Sequence, residues 1–128
     1  MSDIESLRNI LAGCKTIAVV GLSGDWFRPS YFAAKYMQEH GYRIVPVNPK
    51  YPSILGEKSY ASLQEAAAGC GAKIDMVDCF RKTADIMPIA RDAVAIGARC
   101  LWQQLGVVNE EADALARRAG MASVMDRC

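Results

Sequence analysis

The sequence predicts an α/β protein built on a doubly wound parallel sheet, with helices on both faces of the sheet. The first observation is alternation, because short apolar runs are separated by segments with helical periodicity along the chain. The second is spacing, since the connections between the runs are long enough for helical crossovers between parallel strands. The third is the composition of runs such as Thr16–Val20, TIAVV, which are apolar throughout, as burial on both faces requires.

The strand predictions rest on short runs of apolar and β-branched residues. These runs are Thr16–Val20, Arg43–Val47, 74–80, 99–102 and 122–125. A further short strand is predicted near 58–60, inside a proline-rich loop. Pro46 lies within the second run and cannot donate a ladder hydrogen bond, so we expect the strand beside it to be short or absent.

The helix predictions rest on apolar residues at helical spacing and on signals at the helix ends. Three starts are marked by the Ser2–Glu5 and Ser62–Glu65 capping boxes and by Asn109. Four ends are marked by glycines that follow the last apolar position: Gly13, Gly41, Gly97 and Gly120. Pro88 suits the first turn of the helix before Gly97, and the second capping box begins a helix at 63–68.

Composition and charge indicate a globular protein, which we expect to form a single domain over residues 1–128. Apolar residues make up 52% of the chain, charged residues 23%, and the net charge is +1. This balance does not favour a nucleic-acid-coating surface. No run reaches the roughly 18–20 apolar residues that cross a bilayer, and the N-terminal MSDIESLRNIL does not resemble a signal peptide. Five scattered cysteines without a metal-binding spacing indicate reduced thiols in the core of a cytoplasmic protein.

The loop after the first strand carries residues suited to an anion. In parallel sheets of this kind, ligands bind beyond the carboxyl ends of the strands, where the strand order reverses. The candidate residues are Gly21, Ser23, Arg28, Pro29 and Ser30. A glycine permits a tight turn, the helix beginning near Pro29 presents backbone N–H groups, and arginine pairs with phosphate in a bidentate manner. The alternative is an ordinary turn from strand to helix with a solvated arginine.

The loops after the other strands add candidates at the same edge. Asn48, Pro49 and Lys50 follow the second strand, where an NAD site usually has an acidic residue, and a lysine instead would accept a ribose phosphate. Phe80 and Arg81, followed by Lys82, could flank an adenine and its phosphates. Gln103, Gln104 and Gly106 supply amides at this rim. Turn chemistry, core packing and solvated charge are the plain alternatives. The cations should converge on one site, which suits a pyrophosphate ligand with a further ribose phosphate: NADP or coenzyme A.

Several segments together resemble a known family. They are GLSGDWFRPSY, GYRIVPVNPKYPSILGEKSYASL, IDMVDCFRK, AIGARCLWQQLGVVNEEA and AGMASVMDRC. They resemble the small stand-alone CoA-binding proteins, single-domain bacterial proteins similar to the CoA-binding domain of succinyl-CoA synthetase α subunits. The resemblance runs from about Ile10 to Cys128 and implies a Rossmann-like fold that binds CoA. It places the same candidates in the nucleotide site: the RPS segment with Gly21 and Ser23, the NPK segment, the FR pair, and the glutamines with Gly106.

Neither the residues nor the resemblance indicate catalysis. The sole histidine, His40, lies at a helix end before Gly41, where a surface capping role is expected. Asp75 and Asp78 flank a strand without a partner in the sequence, so capping or solvation is expected of them. Two other hypotheses remain open. One is an NADP-binding oxidoreductase domain, and the other is a redox module in which Cys79 or Cys128 forms a mixed disulfide with CoA.

Overall fold

The computed structural model describes residues 4–127, and it confirms the α/β class. The helices are α1 Ile4–Ala12, α2 Pro29–Glu39, α3 Leu63–Gly69, α4 Ile86–Ala95 and α5 Glu110–Arg118, with a 3₁₀ turn at Thr83–Asp85. The strands are β1 Thr16–Val20, β2 Arg43–Val47, β3 Ser53–Ile54, β4 Glu57–Lys58, β5 Met76–Cys79, β6 Cys100–Gln103 and β7 Ala122–Val124. The predicted Ser2 cap and Cys128 lie outside the described residues.

Five strands form one parallel sheet in the order β2-β1-β5-β6-β7. The chain leaves β1 toward β2 on one side and then returns to β5 on the other side of β1. The strand order therefore reverses between β1 and β5, and a crevice forms there at the carboxyl ends. This is the doubly wound, Rossmann-like arrangement.

The sheet is buried on both faces, as the apolar strand runs predict. Ala18 and Val20 of β1 pack in the cluster that includes residues of α3, α4 and α5. Ile17 and Val19 face the opposite cluster, which includes Ala34 of α2 and side chains of α1. Neighbouring side chains of one strand thus enter different cores, because they alternate across the sheet.

Pro46 lies in the edge strand β2, and the strand beside it is almost absent, as expected. Its carbonyl accepts a hydrogen bond from Tyr60 N at 3.0 Å, and Val47 and Tyr60 form a single isolated bridge. Within a parallel strand the N–H and C=O of one residue point to the same side. The missing N–H of Pro46 therefore faces away from β1, where it costs no bond within the sheet.

The short strand predicted near 58–60 is displaced to Glu57–Lys58. It pairs with β3, which the sequence does not predict, in an antiparallel hairpin separate from the main sheet. The hairpin turns through Leu55 and Gly56, both with positive φ.

The helix caps are confirmed where the structure describes them. Ser62 Oγ accepts from Glu65 N at 3.2 Å, and Asn109 Oδ1 accepts from Ala112 N at 3.0 Å. Each bond satisfies a backbone N–H that has no partner inside its helix. None of the helices within residues 4–127 is both long and apolar enough to cross a membrane.

Candidate functional site

A cleft of about 680 Å³ lies at the carboxyl edge of the sheet, between the loops that follow β1, β2, β5 and β6. Ten of the thirteen predicted site residues line it: Gly21, Ser23, Arg28, Pro29 and Ser30 after β1, Asn48 and Lys50 after β2, Phe80 and Arg81 after β5, and Gln104 after β6. The structure therefore brings together residues from four separate loops, as the predicted topology requires.

Gly21 makes the close approach of two of these loops possible. Its φ is +87°, and a Cβ at this position would lie 2.4 Å from the carbonyl oxygen of Phe80. Gly21 N donates to Val47 O at 2.9 Å, which holds the turn against the end of β2. Any other residue would be strained in this conformation and would collide with the neighbouring backbone.

The loop between β1 and α2 is closed by two serines. Ser30 Oγ, at the start of α2, accepts from Ser23 N at 3.0 Å, and Ser23 Oγ accepts from Asp25 N at 3.0 Å. The N-cap residue of α2 is Arg28, and no side chain caps the first turn of this helix. The positive end of α2 therefore opens on the cleft, where it favours an anion.

Asn48 connects the loops after β1 and β2. Its Nδ2 donates to Leu22 O at 3.0 Å, and its Oδ1 accepts from Lys50 N at 3.0 Å. Its carbonyl accepts from Ser59 Oγ at 2.9 Å. The side-chain amide is thus engaged in holding the cleft wall and in placing Lys50 at its rim.

The charge of the cleft is positive. Arg28, Lys50, Arg81 and Lys82 line it as exposed cations, against one carboxylate, that of Asp25. Within residues 4–127 none of these cations forms a salt bridge. The Arg28 guanidinium lies 5.7 Å from the Phe27 ring centroid, and Lys50 Nζ lies 5.9 Å from that of Tyr51. The cations therefore remain available to phosphate groups.

Three predicted site residues lie elsewhere. Pro49 lines a second cleft of about 380 Å³, and Arg81 lines both this cleft and the main one. Gln103 is completely buried, donates from Nε2 to Asn109 O at 3.2 Å and accepts from Asn109 N at 2.8 Å. Gly106 donates its N–H to Asp126 Oδ1 at 2.6 Å. Gln103 and Gly106 thus fasten the chain around the start of α5 and do not line the cleft.

Five lining residues were not among the predicted site residues: Asp25, Tyr51, Lys82, Leu105 and Val107. All but Asp25 are next to a predicted site residue in the sequence, so adjacency to those residues could have predicted them. Tyr51 is explained by Gly24, because a Cβ on that glycine would lie 2.8 Å from the tyrosine ring. No sequence pattern pairs this glycine with this ring across two loops.

Asp78 corrects the expectation of a capping or solvated carboxylate. It lies inside β5, is 2% exposed, and its Oδ1 accepts a hydrogen bond from Gln104 Nε2. Burial raises the pKa of Asp78 to about 7, against the hydrogen bonds from Gln104 and from the Cys79 backbone, which lower it. Asp75, by contrast, caps the start of strand β1: its Oδ2 accepts hydrogen bonds from Lys15 N at 2.9 Å and from Thr16 N at 3.1 Å.

The described cysteines and His40 have structural roles. Cys14, Cys70, Cys79 and Cys100 are unpaired and buried, as expected of small core residues. Cys79 is 0% exposed, and burial raises the pKa of its thiol well above the usual value, so a mixed disulfide with CoA at Cys79 is contradicted. His40 caps the far end of α2, its Nδ1 lying 2.8 Å from Tyr36 O. Within the described residues, no cluster of His, Cys, Asp and Glu could hold a metal ion.

Comparison with known proteins gives a consistent result. The sequence profile of a CoA-binding domain matches residues 15–128. The chain is 38% identical over 122 residues to the uncharacterized protein YneT of Bacillus subtilis, covering 95% of this chain and 87% of that one.

Solved structures extend the comparison to the fold. A hypothetical protein from Pyrococcus horikoshii OT3 superimposes with a TM-score of 0.91 at 38% identity, covering 99% of this chain and 87% of that chain. An acetyl-coenzyme A synthetase from Candidatus Korarchaeum cryptofilum shares the fold, with a TM-score of 0.72 at 20% identity over 96% of this chain and 27% of its own. By its sequence match, and with a fold and a cationic cleft that accord with it, this chain belongs to the family of CoA-binding domains.

Proposed function

We propose that the protein binds coenzyme A, or an acyl-CoA, in the 680 Å³ cleft, and that it does so without catalysing a reaction of its own. The observation that carries this proposal is the meeting of four cations with the uncapped start of α2 in one cleft of a CoA-binding family member. CoA carries a pyrophosphate and a ribose 3′-phosphate, so it needs several positive groups near each other.

The pyrophosphate is assigned to the loop between β1 and α2. Gly21 lets this loop turn tightly against the loop that carries Phe80 and Arg81, and the open first turn of α2 offers its positive end. Arg28 and Arg81 stand on the two loops that leave β1 and β5, the neighbouring strands at which the sheet order reverses. Two guanidinium groups at this crevice suit a diphosphate better than a single phosphate.

The adenosine part is assigned to the side of β2. Lys50 lines the main cleft, whereas its neighbour Pro49 lines the second cleft, which also includes Val47 and Ile89. A ribose at the boundary could direct its 3′-phosphate to Lys50 and its purine toward Val47 and Ile89. Arg81 borders both clefts and would contact the ligand where they meet.

The pantetheine arm is assigned to the side of β6. There the cleft is lined by Gln104, Leu105 and Val107, which carry no charge. An uncharged arm with amide groups and an apolar thioester substituent matches this lining. Leu105 is largely exposed at the cleft, so an acyl group bound there would have an apolar neighbour.

The lack of catalysis is proposed from the placement of the groups that could act as bases. His40 is the sole histidine, and it lies at the opposite end of α2 from the cleft, about 15 Å along the helix axis. Asp78 is covered and engaged with Gln104. Ser23 has its hydroxyl in the loop and its N–H on Ser30, with no histidine to activate it.

The test is calorimetric titration of the reduced protein with CoA, dephospho-CoA and NADP. We expect CoA to bind more tightly than dephospho-CoA, because the 3′-phosphate adds a charge-assisted contact. Lys50→Ala should weaken CoA by about 1.5–3 kcal/mol and leave dephospho-CoA nearly unchanged. Lys35→Ala, an exposed lysine of α2 that does not line the cleft, is the matched control and should bind like the unmodified protein.

Two outcomes would count against the proposal. Binding of NADP without binding of CoA would overturn the ligand assignment and favour an oxidoreductase domain. Equal losses of affinity for CoA and dephospho-CoA in Lys50→Ala would show that Lys50 does not contact the 3′-phosphate. CoA would remain the assigned ligand.

A further inference from the structure

The floor of the cleft contains a buried hydrogen-bond acceptor without a partner. Gln104 lines the cleft, is 6% exposed, and its Oε1 is buried with no hydrogen-bond partner in the described part of the chain. Buried side-chain oxygens in folded proteins almost always have a partner, because leaving one unpaired costs about 1–3 kcal/mol. Because Gln104 lines the cleft, a ligand bound there can supply the donor once the side chains that cover Oε1 shift.

Resting on the proposed function, we propose that Gln104 determines specificity for the pantetheine arm. Its Oε1 accepts a hydrogen bond from an amide N–H of that arm, while Asp78 is a positioning residue that holds the carboxamide in the required orientation. The contact goes beyond the assignment of CoA to the cleft, since it names the atom that distinguishes CoA from nucleotides without the arm.

Asp78 determines which end of the carboxamide faces the ligand. Its Oδ1 accepts from Gln104 Nε2, and Asp78 is 2% exposed within β5. Above its pKa of about 7, the Asp78 carboxylate has only acceptor oxygens, so it binds the amide nitrogen and excludes the amide oxygen. The carboxamide is thereby held with Nε2 on Asp78 and with Oε1 away from it.

The neighbours of Gln104 indicate which part of the ligand supplies the donor. Leu105 and Val107 line the same part of the cleft, whereas Lys50 follows β2, three strands away from β6. Ionised phosphate groups carry no hydrogen to donate, and an amide oxygen would repel them. The pantetheine arm has two secondary amide N–H groups. Leu105, the next residue along the chain after Gln104, is 71% exposed, so its side chain can shift at little cost in packing.

The experiment compares CoA with adenosine 3′,5′-bisphosphate, which keeps the 3′-phosphate and the first 5′-phosphate of CoA but lacks the second 5′-phosphate and the arm. Titrations at pH 8.5 keep Asp78 ionised, since its pKa is about 7. Gln104→Met keeps the length of the side chain and removes the amide. We expect it to weaken CoA on the order of tenfold and to leave the bisphosphate unchanged.

Variants of Asp78 test the positioning role through the ratio of the affinity for CoA to the affinity for the bisphosphate. A change that only disturbs the fold would leave this ratio unaltered. Asp78→Asn can accept from Gln104 Nε2 but can also donate to Gln104 Oε1, so it no longer fixes the carboxamide and should lower the preference for CoA in part. Asp78→Val cannot accept a hydrogen bond and should reduce the preference as Gln104→Met does. If these variants do not fold, CoA analogues with an ester in place of each amide, titrated against the unmodified protein, measure the same contact.

The outcomes separate this inference from the proposed function. Failure of the unmodified protein to bind either probe would overturn both. Binding of both probes with an unchanged CoA affinity in Gln104→Met would overturn the Gln104 contact alone, as would full affinity for both ester analogues. An equal loss for CoA and the bisphosphate would assign the donor to the adenine amino group and contradict the pantetheine contact.

Discussion

Arg28 shows how one position serves two purposes. Its backbone begins α2 as the N-cap residue, in an extended conformation with φ −83° and ψ 143°. Its side chain is exposed, lines the cleft and stacks over Phe27. Because the guanidinium has no carboxylate partner within residues 4–127, removing it should affect ligand binding far more than folding.

We expect Arg28→Ala to weaken CoA binding by about 1.5–3 kcal/mol, the value of a hydrogen bond to a charged group. The free energy of unfolding should change by less than about 0.5 kcal/mol, as for most surface substitutions. Calorimetry and urea denaturation measure the two quantities. Arg91→Ala, an exposed arginine of α4 outside both clefts, is the matched control. Equal CoA affinity in both variants would exclude Arg28 from the site.

The consecutive glutamines show where prediction from single residues fails. Both were predicted to face the rim, but Gln103 is the last residue of β6 and Gln104 is the first residue of the loop after it. Gln103 turns to the face of α5 and holds Asn109, whereas Gln104 turns to the cleft and to Asp78. The amino-acid type is the same, so the position of each residue relative to the end of β6 decides which glutamine lines the cleft.

The connection from β1 to α2 is the element that shapes the cleft. Its ends are joined by the bond from Ser23 N to Ser30 Oγ, and Ser30 is buried although its hydroxyl is polar. The hydroxyl keeps the loop against the first turn of α2. The position of these serines was predictable from the strand and helix ends, but their mutual bond was not.

We expect Ser30→Ala to lower the free energy of unfolding by about 1 kcal/mol and also to weaken CoA binding, because the loop loses its anchor. Ser123→Ala is the matched control: this buried serine of β7 donates to Asp113 Oδ1 and does not line the cleft. It should lose similar stability in thermal melting but retain CoA affinity. A Ser30→Ala protein with full affinity would show that the loop keeps its shape without this bond.

The β3–β4 hairpin was the least predictable element. Its strands have two residues each, which is too short for alternation to be recognised in the sequence. Its reversal depends on Leu55 at φ +54°, a conformation that the residue type does not indicate. Ile54 is the buried residue of the hairpin and packs in the cluster of β1 and α2, while Leu55 O accepts a hydrogen bond from Gln38 Nε2 of α2 at 3.2 Å.

The sheet as a whole buries an ionisable group, Asp78, for which the sequence predicts a capping or solvated role. Asp78 has Val19 of β1 and Trp102 of β6 as its register partners, so it lies in the middle of three strands. Burial there raises its pKa from 3.8 to about 7. The folded protein therefore binds this proton more tightly than the unfolded chain does.

Linkage then determines how stability depends on pH. The contribution of Asp78 to stability is fully present below about pH 4 and is lost as the pH rises to about 7, at on the order of 1.4 kcal/mol per pH unit inside that interval. Asp78→Asn cannot ionise. We expect its stability relative to the unmodified protein to rise between about pH 4 and about pH 7, measured by urea denaturation. Parallel stability curves over this range would contradict a raised pKa.

Much of the molecule was determined by the sequence alone. Apolar runs specified the five strands of the main sheet, caps and glycines specified the helix ends, and the residues after each strand included ten of the cleft residues. These features depend on neighbours a few positions apart, so a local pattern is enough to predict them. That these residues bind CoA stays a prediction.

Only the tertiary structure decided how distant segments complete one another. It directed Gln104 to the cleft and Gln103 away from it, buried Asp78 beneath the glutamine amide, and moved Pro49 to a second cleft. Each of these results depends on the registers of several strands and on which face a side chain meets. Strand registers follow from the packing of the whole core, and no short segment of the chain contains that information.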